Sequence, residues 1–239
     1  MKISNQSLAI GVPCSFPFIP ASFFYSFVMM QKPAFTFIHA DAGPIDTLRN
    51  DIVEKALEIG ATSLLMMDVD QVYDPQTITK LLAHRLPVVG AKVHRRYPPF
   101  DPIILRIKDA GYHPLNIGEY EPGSLVECDA TGTGCIMYDM DVFRKLPKPW
   151  FKFRKHPQSG KVIGEDVGLC RDLKAAGYKI YVDTSIEIGH LTTMVVSEGT
   201  HKLYCAMKMT KEKKNEVLGI AEKGEALQAA KAALVGGDQ

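Results

Sequence analysis

A short apolar run that ends in two carboxylates constrains the fold of this chain more than any other segment. The residues Ser63–Met67 (SLLMM) show no polar alternation, which is typical of a strand buried on both faces of a parallel sheet. Before this run, apolar residues recur every three or four positions from Ile45 to Ile59, which indicates an amphipathic helix that ends at Gly60. Strand and helix patterns alternate through the first half of the chain, so the sequence predicts a wound α/β sheet.

The second half of the chain has a mixed pattern, and we expect it to add an antiparallel portion to the sheet. Its last two strands are predicted at Tyr178–Val182 and Ile186–His190, and a helix in the first half is predicted at Pro75–Ala83. The predicted organisation is one α/β domain over residues 1–204, followed by a tail over 205–239 whose Lys, Glu and Ala content indicates an amphipathic helix.

The composition excludes several classes of protein. A formal net charge of +1 gives no overall field toward nucleic acid or an anionic membrane. Cysteine occurs 5 times without a CxxC pair, which argues against a disulfide framework or a zinc knuckle and favours a reducing, cytoplasmic location. Because Pro17 and Pro20 interrupt the apolar stretch from Phe16 to Met30, we expect no membrane span there.

Asp68 and Asp70, directly after the apolar strand, are the strongest chemical signal. Ligands of open α/β sheets bind beyond the carboxyl ends of the strands. Two carboxylates at that place could share Mg²⁺ or Mn²⁺, which neutralises a diphosphate. The alternative is that an aspartate after a strand only begins a turn. A calcium loop of the EF-hand type is excluded, since Tyr73 and Thr79 occupy the positions that need Gly and Glu.

Four further side chains have both a structural and a functional interpretation. Glu165 and Asp166 lie in the first turn of a predicted helix, where the helix dipole stabilises carboxylates, but where a general base could also be held after a long irregular segment. His190 ends a strand and is either a structural residue or a metal ligand that favours Mn²⁺. Trp150 is either a hydrophobic plug or a platform for the apolar face of a sugar.

A glycine-containing turn, Thr131–Gly134, brings the backbone close either to a neighbouring strand or to a substrate. It lacks the third glycine of a dinucleotide fingerprint, because Met137 stands there. The chain also has no Walker A sequence, no G-x-S-x-G elbow and no H-E-x-x-H motif. The sequence therefore gives no support for these common nucleotide-binding and hydrolase classes.

The order of these motifs resembles that of GT-A fold glycosyltransferases, especially the family-two-like group. The resemblance runs from Leu8 to Leu191 and depends on these segments: SLLMM-Asp68-Val69-Asp70, Asp129–Cys135, Pro149-Trp150-Phe151, Gly164-Glu165-Asp166, Tyr181-Val182-Asp183 and His190. It implies a GT-A-type, mostly parallel sheet with helices on both faces. The Gln-x-x-Arg-Trp motif of processive synthases does not occur in the sequence, so we expect the transfer of a single sugar.

The resemblance also implies roles for the acidic residues and the histidine. Asp70 and His190 would bind the metal directly. Asp68 would bind the donor ribose or a metal-bound water. Asp166 would be the catalytic base, with Glu165 as its neighbour.

Four other residues receive roles at the edge of the same site. Asp41, after the second strand, would read the base of the donor, and Arg49 lies on the helix that usually flanks the nucleotide. Gly134 would allow close approach of the backbone to the donor. Trp150 would bind the acceptor.

The predicted function is metal-dependent transfer of one sugar from a nucleotide-diphosphate donor, of the UDP or GDP type, to an acceptor hydroxyl with inversion. Mn²⁺ or Mg²⁺ would be the cofactor, and the acceptor could be a saccharide, a small molecule, a protein, a lipid or modified nucleic acid. One alternative is a nucleotidyltransferase that makes nucleotide sugars, although Gly11–Cys14 stands where such enzymes carry a basic, glycine-rich loop. The other is a non-catalytic nucleotide- or sugar-binding domain.

Overall fold

The structure of the protein is a computed structural model that describes residues 7–109, 111–155 and 160–203. The chain divides into two units, Met1–Thr192 and Thr193–Gln239. The helical tail predicted at 205–239 lies outside the described residues. All of the helices and strands named below belong to the first unit.

Helices and strands of this unit alternate in its first half, as the apolar patterns predict. The helices are α1 (Ala21–Met29), α2 (Ile45–Glu58), α3 (Thr77–His84), α4 (Asp141–Lys145) and α5 (Glu165–Ala175). The strands are β1 (Leu8–Pro13), β2 (Phe35–Ala40), β3 (Ser63–Met67), β4 (Gln71–Val72), β5 (Val88–Val93), β6 (Ile104–Lys108), β7 (Gly111–Pro114), β8 (Leu125–Cys128), β9 (Ala130–Thr131), β10 (Cys135–Asp139), β11 (Arg154–Lys155), β12 (Val162–Ile163) and β13 (Ile180–His190).

Within the described residues, eight strands form one mixed sheet in the order β2-β1-β3-β10-β5-β13-β4, with β8 also paired to β13. The strands β2, β1 and β3 are parallel, and β13 is parallel to β5. The antiparallel portion expected from the second half is β10, which lies between β3 and β5, together with β8 and β4 beside β13. The carboxyl ends of the five parallel-oriented strands therefore meet at one edge of the sheet.

The strand β3 is buried on both faces, which explains its uninterrupted apolar run. Leu64 and Met66 pack in the core that includes α2, and Leu65 and Met67 pack in the core that includes α1 and α3. All four side chains are 0% exposed. Each such burial contributes about 1.5–3 kcal/mol, so β3 is a rigid support for the two aspartates that follow it.

A glycine on β1 permits the close packing of α2 on the sheet. A Cβ atom at Gly11 would lie 2.2 Å from Cγ2 of Ile52, a residue that is 0% exposed in the middle of α2. Any larger residue would push the helix away from the sheet. This contact fixes the position of α2, and therefore of Arg49, against the first strand.

Two element predictions differ from the structure. The two strands predicted at Tyr178–Val182 and Ile186–His190 are one strand, β13, in which the register against β5 shifts between Asp183 and Glu187. The polar residues at that shift gave the pattern of a break. The helix predicted at Pro75–Ala83 is α3, Thr77–His84, because Pro75 lies in the turn before it.

The apolar stretch from Phe16 to Met30 forms a loop followed by α1, in agreement with the interruption by two prolines. No helix in the described ranges combines the length and the apolar character that crossing a bilayer requires.

Candidate active site

The segment Asp68–Asp70 is held at the carboxyl edge of the sheet by backbone contacts on both sides. The Asp68 N–H donates to the Gly134 carbonyl at 2.9 Å, and the Leu191 N–H donates to the Asp70 carbonyl at 2.7 Å. The Tyr73 hydroxyl lies 2.8 Å from the Asp68 carbonyl and 2.9 Å from the Gly134 carbonyl, so it donates to one of them at a time. The two carboxylates are therefore displayed from a fixed backbone.

Arg49 joins Asp68 to the start of α5. One guanidinium nitrogen donates to both carboxylate oxygens of Asp68, at 3.0 and 3.1 Å, and the other donates to Glu165 Oε1. The Arg49 side chain is 6% exposed, and Glu165 is 9% exposed. Burial lowers the pKa of the Arg49 guanidinium, but the charges of Asp68 and Glu165 outweigh this effect, so the pKa of Arg49 is raised. Arg49 is thus a buried cation that links two acids 97 residues apart in sequence, from position 68 to position 165.

Asp70 and His190 form the second half of the cluster. His190 Nε2 lies 3.3 Å from Asp70 Oδ2, and His190 Nδ1 lies 2.7 Å from the backbone oxygen of His94. A carbonyl oxygen only accepts, so Nδ1 carries a hydrogen; the protonated ring also donates from Nε2 to Asp70, and loss of that second proton leaves a lone pair on Nε2. A metal-ligating histidine usually donates its second N–H in this manner.

The two residues stabilise the charged forms of each other. The hydrogen bond with Asp70 raises the pKa of His190, against the opposing effect of burial. Burial raises the pKa of Asp70, but the hydrogen bond from His190 and the charges of His190 and Arg96 outweigh it, so the net direction is downward. Arg96 reaches Asp70 Oδ2 at 2.9 Å from the solvent side.

Asp166 lies in the first turn of α5, within electrostatic range of Arg49 and Asp68. Its Oδ1 accepts the backbone N–H of Val167 at 2.7 Å, which leaves Oδ2 for other partners. Burial raises the pKa of the Asp166 carboxyl, against the hydrogen bond from Val167 and the charge of Arg49. A carboxylate with a raised pKa is a better proton acceptor than an exposed aspartate.

The donor atoms of Asp70 and His190 fit a divalent cation. Their separation of 3.3 Å is close to the roughly 3 Å expected between two adjacent ligands that each lie 2.0–2.2 Å from one octahedral ion. Arg96 is 46% exposed, so its ion pair with Asp70 contributes little and is readily exchanged. The described residues contain no group of three or more His, Cys, Asp or Glu arranged for a metal.

No protein-family model matches the chain, and no curated protein matches its sequence. Solved structures match it in fold. A197 from STIV gives a TM-score of 0.54 at 15% identity, over 79% of this chain and 86% of A197. GalNAc-T7 with UDP, GalNAc and Mn²⁺ gives 0.49 at 10% identity, over 79% of this chain and 44% of that one. S. aureus TarS 1–349 in complex with UDP-GlcNAc gives 0.48 at 13% identity, over 80% and 60%.

The chain has a GT-A-type fold. The strand order and the likeness to A197 agree with the mixed, mostly parallel sheet that the motif order predicted. The chain spans 44% of GalNAc-T7 and 60% of TarS 1–349.

The GT-A sheet brings most of the predicted site residues together. Asp68, Glu165 and Asp166 surround Arg49, and Asp70 contacts His190 next to them. Gly134 also belongs to this cluster, because a Cβ atom there would lie 2.9 Å from Asp68 Oδ2 and 2.0 Å from Gln71 Nε2. The glycine thus leaves room for two polar side chains at the edge of the sheet.

Asp41 and Arg49 differ in how they relate to their predicted roles. Asp41 follows β2 at the same edge of the sheet and is exposed, so its assignment to the donor base stays a prediction. Arg49 was expected to flank the nucleotide, but its guanidinium is turned toward Asp68 and Glu165. Its neighbour Asn50 holds the backbone of Trp150 and Phe151 through its side-chain amide, at 3.0 and 3.1 Å.

The assignment of Trp150 as a platform for the acceptor was wrong. Its side chain is 2% exposed and packs against Phe143 in the core. The indole N–H lies 3.0 Å from the Phe143 carbonyl and 3.1 Å from the Leu146 carbonyl, so both the ring and its polar atom are used inside the protein. The hydrophobic plug, which the sequence left open as the alternative, is the arrangement in the structure.

Sequence reasoning missed three residues that shape this cluster. Tyr73 ties the backbone of the aspartate segment to Gly134, Gln71 packs beneath it at 2% exposure, and Arg96 neutralises Asp70. The pair Arg95-Arg96 has two sequence interpretations, a solvated pair and a contact to phosphate, and neither predicts the contact with Asp70. Nothing in a single sequence distinguishes these positions, because their roles depend on strands that are far apart in the chain.

Proposed function

We propose that the chain is a metal-dependent glycosyltransferase that transfers one sugar from a nucleotide-diphosphate donor to an acceptor hydroxyl, with inversion at the anomeric carbon. The observation that supports the proposal is a pair of contacts on either side of Val69 at the carboxyl edge of the sheet. Asp68 is joined to Glu165 through Arg49, and Asp70 contacts His190. These side chains are contributed by segments on β3, α5 and β13 that lie up to 122 positions apart, from 68 to 190.

The donor diphosphate would lie against Asp70 and His190. These two residues would hold Mn²⁺ or Mg²⁺, which supplies positive charge that stabilises the departing diphosphate when it is bound. The His94 carbonyl orients the imidazole, and Arg96 would compete with a cation for Asp70. Asp68 is already engaged by Arg49, so we assign it to the donor ribose or to a metal-bound water at its exposed side, where it is 25% exposed.

Asp166 would act as the general base on the acceptor. Its free oxygen takes the proton of the acceptor hydroxyl while that oxygen attacks the anomeric carbon and the diphosphate leaves from the opposite face. Burial has raised its pKa, which suits a group that takes a proton late in the reaction. Glu165 positions the start of α5 through Arg49, so the base and the aspartate segment keep a fixed separation.

A turnover assay tests this proposal. Panels of UDP- and GDP-sugars are incubated with Mn²⁺ and candidate acceptors, with and without added pyrophosphate, and the nucleotide product is identified by chromatography. A nucleoside diphosphate supports a glycosyltransferase, whereas consumption of pyrophosphate with formation of a nucleoside triphosphate would identify a nucleotidyltransferase. A protein that binds a donor but never turns it over, with any acceptor class, is a binding domain.

The variant Asp166→Asn separates catalysis from binding. We expect a loss of about 10²–10⁴-fold in the rate of transfer, because the amide cannot accept the proton. Donor affinity should stay within a few-fold of the wild-type value, since Asp166 faces the acceptor. Asp172→Asn on the same helix, where the carboxylate pairs with Arg154, is the control. Wild-type activity in Asp166→Asn would remove this residue from the role of base.

A further inference from the structure

An exposed apolar surface lies on α1 and on the neighbouring strand β2. Six large side chains there are between 37% and 71% exposed. They are Phe24, Tyr25, Val28 and Met29 on α1, and Phe35 and Phe37 on β2. These six residues are called the α1–β2 patch.

Phe27 connects the two parts of the patch. Its ring centroid lies 6.2 Å from that of Phe35 and 5.9 Å from that of Phe37. On the helix, Phe24 lies one turn from both Phe27 and Val28, because side chains three and four positions apart are neighbours. The apolar surface therefore continues from the edge of the sheet onto the outer face of α1.

The strand β2 is an edge strand, and one lysine of α2, Lys55, reaches its His39 carbonyl at 3.4 Å. Within the described ranges it pairs with β1 alone and stands at one end of the sheet order. Natural edge strands are usually protected by lysine, proline or a β-bulge. The residues Phe35–Ala40 (FTFIHA) contain neither lysine nor proline, and their register against β1 is continuous. The outer edge can therefore accept another strand.

The surface carries few charges, and one of them, the Lys32 ammonium, lies 4.8 Å from the centroid of the Phe27 ring. Lys32 is the single charged residue between Phe16 and Phe37 in the sequence. Its ammonium lies 2.9 Å from the Met30 carbonyl and 3.3 Å from the Val28 carbonyl, where it caps the end of α1. Such a surface can meet an identical surface without like-charge repulsion. It lacks the polybasic character that attracts a protein to anionic lipid.

The exposed aromatic area of the patch is about half of what one partner contributes to a standard interface. With about 200 Å² for each aromatic side chain, the exposed fractions of the four aromatic patch residues give roughly 430 Å², before Val28 and Met29 are counted. A standard interface buries about 800 Å² on each partner. The largest apolar patch of a typical monomer is about 300–600 Å².

We propose that two copies of this chain form a symmetric dimer through the α1–β2 patch. The two β2 strands lie antiparallel across the two-fold axis, so that one sheet continues through both copies. Phe35 and Phe37 point to the same face of β2, because side chains alternate along a strand. They pack against the same residues of the second copy, with α1 of each copy beside them. The aspartates of the candidate site follow β3, which is separated from β2 by β1 in the sheet order.

Sedimentation velocity of the full chain in dilution series tests the proposal without any substrate. The monomer mass is 26.4 kDa, and we expect the wild-type chain to sediment at twice that mass at about 10 µM. Phe37→Lys and Tyr25→Lys each place a charge in the interface and should weaken association by about 100-fold or more. Ile117→Lys changes a 73% exposed apolar residue in the loop before β8, and it should leave the dimer intact.

Circular dichroism and thermal unfolding show whether each variant is folded, and the two lysine variants report independently. A wild-type chain that is monomeric at about 100 µM contradicts the proposal. So does a dimer that both lysine variants leave unchanged. A monomer that sediments with phosphatidylcholine–phosphatidylglycerol vesicles, and loses this binding in Phe37→Lys, would assign the patch to a membrane instead. A monomer whose unfolding temperature falls in both lysine variants would show that the chain covers the patch itself.

Discussion

Replacing Arg49 with methionine removes the cation that joins Asp68 to Glu165 and keeps a side chain of similar length. Removing one partner of a buried ion pair costs about 3–5 kcal/mol, because the remaining charge stays buried without compensation. Glu165 is 9% exposed and meets this condition, whereas Asp68 is 25% exposed and recovers part of its hydration. We therefore expect Arg49→Met to lower the free energy of unfolding at pH 7 by about 3–5 kcal/mol.

The protein contains its own probe for this measurement. Trp150 is the single tryptophan, it is 2% exposed, and it lies next to Phe151, whose ring is 5.9 Å from the Arg49 guanidinium. Urea unfolding followed by tryptophan fluorescence gives the free energy. Arg144→Met is the matched control, because Arg144 is 45% exposed in a surface pair and should change stability by less than about 1 kcal/mol.

A second substitution and a pH series test whether the uncompensated charge of Glu165 causes the loss of stability in Arg49→Met. In Arg49→Met the pKa of Glu165, which burial already raises, loses the opposing charge of Arg49 and rises further. The part of the destabilisation that comes from Glu165 is complete above its raised folded pKa and is lost as the pH falls from that value to the ordinary pKa of a glutamate. Arg49→Met/Glu165→Gln should recover part of the loss at pH 7. A loss under about 1 kcal/mol in Arg49→Met, or a further loss in the double variant, would refute this reasoning.

Three other substitutions test separate parts of the structure. Trp150→Phe should lower the free energy of unfolding, measured by circular dichroism, by about 1–3 kcal/mol, because two buried carbonyls share the indole donor. An unchanged stability together with a raised KM for the acceptor would contradict the buried position of Trp150. Gly134→Ala should weaken Mn²⁺-dependent binding of nucleoside diphosphate in calorimetry, because the added Cβ would lie 2.0 Å from Gln71 Nε2. Full binding would show that the carboxyl edge of the sheet adjusts to the methyl group. Asp183 is held ionised chiefly by His84, against burial, and its pKa is lowered. Its stability contribution is present above the ordinary aspartate pKa and is lost as the pH falls through the lower folded value. Asp183→Asn should therefore cost about 1–3 kcal/mol at pH 7 and progressively less below about pH 4, and a pH-independent loss would contradict the assignment.

The parts of the fold that were predictable are those decided by local periodicity. The apolar stripe of α2 and the uninterrupted run of β3 gave the right elements, because burial on one face or on two leaves a direct trace in the order of residues. The position of Asp68 and Asp70 followed from the end of β3. The antiparallel β10 between β3 and β5 could not be placed, since its partners are set by contacts more than 45 residues away.

In the candidate site, too, local sequence predicts some features and distant contacts determine others. The segments that contain Asp70, Asp166 and His190 were predicted from motif order, and the structure brings them to one edge of the sheet. The role of Arg49 was not predictable, because a charged residue on an amphipathic helix is ordinarily exposed and only the fold turns this one inward. Trp150 was misassigned because an aromatic residue between prolines has the same sequence pattern whether it faces solvent or the core.

The most direct test of the proposed glycosyltransferase is a thermal unfolding series of the wild type and His190→Ala with UDP and GDP, each with and without Mn²⁺. A ligand at about 100 times its dissociation constant adds about 2.7 kcal/mol to stability, which corresponds to an increase of roughly 5–10 °C in a chain of this size. We predict this increase for one of the two nucleotides only when Mn²⁺ is present, and its loss in His190→Ala. An increase that is independent of Mn²⁺, or equal in His190→Ala, would contradict the account, and so would no increase with either nucleotide.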